Sequence, residues 1–310
     1  MKKILVRKKE ANMGVQFISR KQTKAVSEIK SIAFLYPLFS LIERVKIKYF
    51  HNNNEQPILV YQMGKVGSST VSETLEKLNI NNSIYHVHFL SDKNINDITL
   101  RYQNLTKSIV PMHLVRSKYL VKKFDLKKDK IKIITLTREP LGRIISDFFQ
   151  NLYYESPELI YKDDKIDYAS ALEKVKESIL QYDIENEYAA TWFDKEFKEA
   201  LGIDVYDFDF GKEKGYQIIK KNNMECLILK MEKLNEVGIK AINEFLLIEG
   251  NGELKQSNIG SKKEFAEDQR KLKYELHFDK QTLQHIYSSE YMKHFYTDEE
   301  ISSFIEKWMQ

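Results

Sequence analysis

Residues Ile58 to Leu78, ILVYQMGKVGSSTVSETLEKL, constrain this chain more than any other stretch. Ile58, Leu59, Val60 and Tyr61 read as a short buried strand, and Val71, Leu75 and Leu78 share one face of a following helix. Between them lie Gly64, Lys65, Val66, Gly67, Ser68, Ser69 and Thr70. A helix that begins directly after such a turn aims unpaired backbone N–H groups at one point, and its positive end attracts an anion. The two glycines permit close approach, Lys65 adds a mobile charge, and three hydroxyls add donors. The plain alternative is a strand, a glycine-rich bend and a helix with no ligand. Walker A places its lysine directly before the hydroxyl that holds magnesium. Here Val66 and Gly67 separate Lys65 from Ser68, so the loop is phosphate-binding in type but a poor fit to an ATPase or GTPase.

A second strand–turn–helix follows downstream. Ile131–Thr137 is a strand by its apolar run, Arg138-Glu139-Pro140 is the turn, and a helix covers Leu141 to Tyr153. Proline is favoured at a helix start and forces the residue before it to be extended. Between the two units, Ile84 to Phe89 reads as a strand with His86 and His88 on one face. Leu100 to Val110 is expected to be a helix, Ile109 to Leu114 a short strand and Ser117 to Phe124 a helix. Helices are also expected over Ala169–Gln181, Glu185–Leu201 and Glu236–Leu247, and from Lys262 onward. Gly202 to Gly215 reads as a turn-rich connector, Glu225 to Met231 as a buried strand and Asn251-Gly252 as a turn. The expected class is α/β: a P-loop-like three-layer fold with a central parallel sheet and a large helical cap over its carboxyl edge.

The chain has 310 residues and a net charge of only +4, but the charge is uneven. Twelve lysines and arginines in the first fifty residues face only Glu10, Glu28 and Glu43, so the rest is mildly acidic. The polar stretch NNNEQP separates a basic arm (1–54) from the α/β domain (55–310). The apolar run Ile32–Ile42 in the arm is much shorter than the roughly 20 residues a spanning helix needs. No small-residue cleavage site follows it, so a secretory signal is not expected. Two readings stand: a helix packed on the domain, or an interfacial anchor on an anionic membrane face. One cysteine, Cys226, excludes a disulfide framework and a Cys/His zinc cluster, and it reads as a buried strand residue.

The two motifs, in this order, resemble the sulfotransferases that use 3'-phosphoadenosine-5'-phosphosulfate (PAPS). In that superfamily the first loop holds the 5'-phosphosulfate, here Lys65 to Thr70. An arginine and a later serine hold the 3'-phosphate, here Arg138 and Ser146 of "REPLGRIIS". Within it, the chain resembles bacterial sulfotransferase-like proteins of the capsular polysaccharide synthesis group. That likeness lies in "GKVGSSTV", "HVHFLS", "TREPLGRIISDFFQNL", "WFDKEFKEALGIDVY" and "HFYTDEEI", from about Pro57 to the C-terminus. Glycan 2-O-sulfotransferases carry a His-x-His after the second strand whose second histidine is the base, which implies His88 here and makes His86 its orienting neighbour.

The resemblance implies a cytoplasmic PAPS-dependent carbohydrate O-sulfotransferase with no metal, acting on a glycan or glycolipid acceptor, with a peripheral inner-membrane contact through the arm and no nucleic-acid partner. Histidine titrates near neutrality and suits the proton-accepting role. Lys65 meets the charge on the leaving phosphate. Arg116 is an acceptor or phosphate contact or a surface charge, and Arg143 a phosphate contact or a surface charge. Ser261 and Lys262 fall where relatives close a loop over the nucleotide. Glu232, Trp192 and Phe193 read as structural. A P-loop kinase-like phosphotransferase and a non-catalytic nucleotide-binding protein of a glycan assembly complex are the alternatives. The acceptor and the oligomeric state are left open.

Overall fold

The computed structural model describes residues 37–309 except 50, 53, 79, 107–109, 162, 164, 250–252 and 255–264. Most of the basic arm, the Asn251-Gly252 turn, Ser261 and Lys262 lie outside the described residues. Helix α1 covers residues 37–49. It is followed by β1 (Ile58–Tyr61), α2 (Ser68–Lys77), β2 (Ile84–Val87), α3 (Asp92–Thr106), α4 (Met112–Lys123), β3 (Ile131–Thr137) and α5 (Pro140–Glu155). Helix α6 (Tyr168–Leu180) precedes α7, which begins as Tyr188–Trp192, widens to a π-helix over Phe193–Lys198 and closes with Glu199–Leu201. Then come β4 (Tyr216–Lys221), β5 (Met224–Lys230), α8 (Leu234–Leu246), α9 (Ala266–Glu275), α10 (Lys280–Ile286), α11 (Glu290–Phe295) and α12 (Asp298–Met309).

The sheet order is β2-β1-β3-β5-β4. β1 is fully buried along its length and lies parallel to both β2 and β3, with Val60 opposite His86 on one side and Ile134 on the other. Unbroken apolar runs are what a parallel strand covered on both faces requires. The chain leaves β1 toward β2 and then crosses back to β3 on the far side. The carboxyl ends of β1 and β3 therefore flank the point where the winding reverses, and open sheets bind ligands in the crevice at that point.

Two expectations are corrected. The sheet is not wholly parallel, because β4 forms an antiparallel hairpin with β5. Strand β4 follows directly on the connector that ends at Gly215 and is not marked in the sequence. As an edge strand ending in Lys220 and Lys221, it needs little apolar sequence, and edge lysines keep such strands from pairing further. Its turn is Asn222-Asn223, with Asn222 left-handed at φ 56°, as tight hairpins demand. Second, among the described residues of the strand expected over Ile109 to Leu114, 110–114, there is no strand. Pro111 caps the start of α4, which runs on as a continuous helix and buries Leu114, Val115, Ser117 and Leu120.

The cap is tied to the sheet by aromatic packing and by carboxylates, Glu196 among them. Trp192, Phe193 and Phe197 of α7 are buried around Tyr61, whose ring lies 5.1 Å from Trp192, so the two α7 aromatics expected in the core are there. The π-helix turns Glu196 inward, where its carboxylate accepts from the Tyr61 hydroxyl at 2.6 Å and from the Leu90 and Ser91 amides. That bond set fixes the turn just after β2, directly behind His88.

Candidate active site

The loop after β1 is built for close approach. Gln62 and Met63 are completely buried. Lys65 and Gly67 both have left-handed backbones, at φ 72° and 88°. For a lysine that conformation costs about 1 kcal/mol, so surrounding contacts must hold it. One is a 2.6 Å bond from Arg138 Nη1 to the Lys65 carbonyl, across the winding-reversal point. Another joins Lys65 Nζ to Gln150 Oε1 on α5. Helix α2 then starts at Ser68, and its N-cap is Gly67, which has no side chain to close the helix end. A side chain at Gly64 would meet no described residue within 4 Å.

Beside the loop, Gln62 organises the histidines. His88 Nδ1 lies 3.0 Å from the Gln62 backbone carbonyl. A carbonyl only accepts, so Nδ1 carries the proton and Nε2 keeps a lone pair. The Gln62 side-chain amide donates to His86 Nε2 at 3.2 Å, which puts the His86 proton on Nδ1 as well. The two rings sit 4.9 Å apart, edge to face. Burial lowers the pKa of His88, and the charges of Lys65 and Arg116 lower it further. Burial, with His88 and Arg116 nearby, takes His86 down to about 3. The imidazole placed as the base is thus uncharged at neutral pH.

Three contributors were not foreseen in the sequence. His113 of α4 packs edge-on to His88 at 5.6 Å between ring centres, and burial lowers its pKa to about 4. It carries no motif and joins the others only because α4 packs beside β2. Gln62 and Gln150 are equally silent in sequence. The three imidazoles are not a metal cluster: among the described residues no group of three His, Cys, Asp or Glu is arranged to hold one ion.

Arg116 is less open to a ligand than the acceptor-contact reading supposed. It makes a two-pronged pair with Glu43 of α1, both bonds 3.1 Å, and donates to the His86 carbonyl at 3.1 Å. This geometry positions the histidine strand. Arg143 is buried, bonded to Glu187 at 2.7 Å and stacked 5.3 Å from the Tyr188 ring centre, and its Nε has no partner among the described residues. Ser146 is buried further along α5, between Arg143 and Gln150 on one helix face.

The second strand–turn–helix is closed rather than open. Glu139 caps α5, accepting from Leu141 N at 2.9 Å and Gly142 N at 2.7 Å. Gly142 is required by that closeness, since a Cβ there would stand 2.4 Å from Glu139 Oε1. Tyr287 donates to the same carboxylate at 3.0 Å. Glu232, just after β5, accepts from the Glu139 amide and from Tyr296, in keeping with its structural reading. Tyr291 accepts from the Arg138 amide at 2.8 Å and donates to its carbonyl at 3.0 Å. So Arg138 is rigid in backbone and reaches the loop with its side chain.

Grooves of about 540, 530 and 450 Å³ lie elsewhere, and none of the three is lined by Lys65, His88 or Arg138. The first touches His86 and Arg116 from the α1 side.

No curated protein matches the chain. A solved mouse sulfotransferase, SULT7A1 complexed with PAP, is 15% identical over 87% of this chain and 89% of its own, with a TM-score of 0.30. Residues 163–297 match the model of the family described as "Putative capsular polysaccharide synthesis protein". The matched residues hold α6, α7, the β4–β5 hairpin and the helices up to α11; the Lys65 loop, His88 and Arg138 precede them. Over residues 163–297 the expected resemblance to capsular polysaccharide synthesis proteins is borne out.

Proposed function

We propose that this chain transfers a sulfuryl group from PAPS to a glycan hydroxyl, on the cytoplasmic side of the membrane. The observation that carries the reading is the His88 tautomer: the Gln62 carbonyl holds Nδ1–H, so Nε2 is left as an uncharged proton acceptor beside the Lys65 loop. The glycan as acceptor class rests on the family description over residues 163–297.

The donor set suits a bisphosphate nucleotide. The amides of Ser68 and Ser69, at a helix start that no side chain closes, and the Lys65 ammonium would hold the phosphosulfate. Arg138, Arg143 and Ser146 are the groups available to a 3'-phosphate, and the Arg143 Nε, without a partner among the described residues, offers a further donor. When bound, PAPS supplies an activated sulfur. His88 Nε2 then takes the acceptor hydroxyl's proton as the hydroxyl oxygen bonds to sulfur and the bond between sulfur and the phosphate oxygen breaks. Lys65 and the α2 amides receive the charge left on that phosphate oxygen, so adenosine 3',5'-bisphosphate departs as the anion. Binding strength concentrated on that developing charge accelerates the step rather than merely retaining the donor.

The test is transfer of labelled sulfate from PAPS to a panel of polysaccharides and glycolipids by the wild-type chain and by His88→Ala. Transfer by wild type, with a large loss in the variant, supports the reading. Equal transfer by both removes His88 as the base. Donor binding without turnover on any acceptor favours a non-catalytic nucleotide-binding role.

A further inference from the structure

Helix α1 shows two unlike faces. At three- and four-residue steps, Ser40, Glu43 and Ile47 turn toward the domain: Ile47 is in the core and Glu43 is paired with Arg116. On the opposite side Leu38, Leu41, Ile42, Val45 and Tyr49 recur at the same steps. Leu38 and Leu41 are 52% and 53% exposed, Tyr49 67%, and Phe39 and Ile42 are also exposed. Apolar groups in that number on one helix face usually mark a contact surface.

The charges say which surface. Lys46 flanks one side of the apolar stripe, and Arg44 and Lys48 flank the other; all three are exposed. Glu43, the helix's one acid, is turned inward and neutralised by Arg116. The preceding sequence adds nine more lysines and arginines against Glu10 and Glu28. A protein partner would need a matching acidic rim around an apolar groove; a bilayer with anionic headgroups supplies both parts at once. Among the described residues no helix is long and apolar enough to cross a membrane, so the helix would lie on the surface rather than span it.

The geometry points to α1 as an interfacial helix that docks the chain on an anionic lipid surface, with Leu38, Leu41, Ile42 and Tyr49 in the acyl boundary and Arg44, Lys46 and Lys48 at the headgroups. The helix is also tied to the site: Glu43 holds Arg116, which bonds the His86 carbonyl. Docking through α1 thus sets the histidine strand one side chain away from the helix that meets the lipid. The lipid contact does not depend on which group the chain transfers.

Flotation of the full chain with vesicles tests this, using phosphatidylcholine alone and phosphatidylcholine mixed with phosphatidylglycerol. Binding is expected only to the mixed vesicles and should weaken as salt rises. Leu41→Glu with Ile42→Glu should lower binding about tenfold or more, since each removes one large apolar group from the contact. Lys46→Glu with Lys48→Glu should lower it by a comparable factor while leaving thermal unfolding unchanged. Equal binding to neutral and anionic vesicles would overturn the proposal, as would no binding to either. A concentration-dependent dimer abolished by Leu41→Glu with Ile42→Glu, with no vesicle binding, would assign the face to a second copy instead.

Discussion

The molecule uses strand–turn–helix twice at one sheet edge, and the two copies are finished in opposite ways. After β3, the start of α5 is filled by its own chain: Glu139 accepts the first amides, and Tyr287 and a neighbouring glutamate tie the turn down. After β1, the start of α2 is left to Gly67, and the loop conformation is held from outside by Arg138. A closed helix end is worth stability, and an open one leaves donors for an anion. The difference separates a turn whose first amides are taken by its own chain from one whose first amides no cap side chain takes, although the two look alike in sequence.

The sharpest way to break that comparison is at the open end. His88→Ala should reduce sulfuryl transfer by about 100- to 10,000-fold, the usual contribution of a positioned base. Steady-state kinetics with saturating donor would measure it, and unchanged thermal unfolding would show that the fold is intact. Next in size is Lys65→Ala, expected to weaken adenosine 3',5'-bisphosphate binding by about 10- to 100-fold through loss of a charge-assisted bond. Its effect on stability should be small, because alanine keeps the Cβ and leaves the left-handed backbone as strained as before.

At the closed end the sign reverses. Glu139→Ala should cost about 1–2 kcal/mol of stability by uncapping α5, measured by chemical denaturation. Gly142→Ala should act in the same direction through its clash with the cap. If either variant altered binding while leaving stability untouched, the division between the two turns would fail.

A separate expected effect is in pH. His86 and His113 titrate at about 3 and 4 in the fold, below the ordinary value of 6.5. The unfolded chain therefore binds protons that the folded chain refuses as pH falls through 6.5. Stability should be fully present above that value and decline toward pH 4, by up to about 1.4 kcal/mol per pH unit for each proton refused. His113→Asn should flatten the slope. The lowered pKa of His88 likewise keeps it in the accepting form below pH 6.5, so transfer should persist into mild acid.

The parts of this molecule that were legible in sequence are those with a local cause. The buried strands β1 and β3 announced themselves by unbroken apolar runs, and the helix starts by Gly67 and Pro140. Trp192 and Phe193 were placed in the core for the same reason. What was not legible depended on distant packing. The edge strand β4 draws its definition from β5, not from its own residues. Gln62, which sets the tautomers of two histidines, is an ordinary polar residue until the strand order puts β2 beside it. The pairing of Arg116 with Glu43 needs α1 folded against α4, and without it Arg116 reads as a surface charge or a substrate contact.

The central claim is that the open turn holds a nucleotide carrying two phosphate sites. Calorimetric titration of the wild-type chain and Lys65→Ala with adenosine 3',5'-bisphosphate, and separately with ATP–magnesium, tests it most directly. The expected result is binding of the bisphosphate in preference to ATP–magnesium, clearly weakened in the variant. Preference for ATP–magnesium, or bisphosphate binding indifferent to the loss of Lys65, would contradict it.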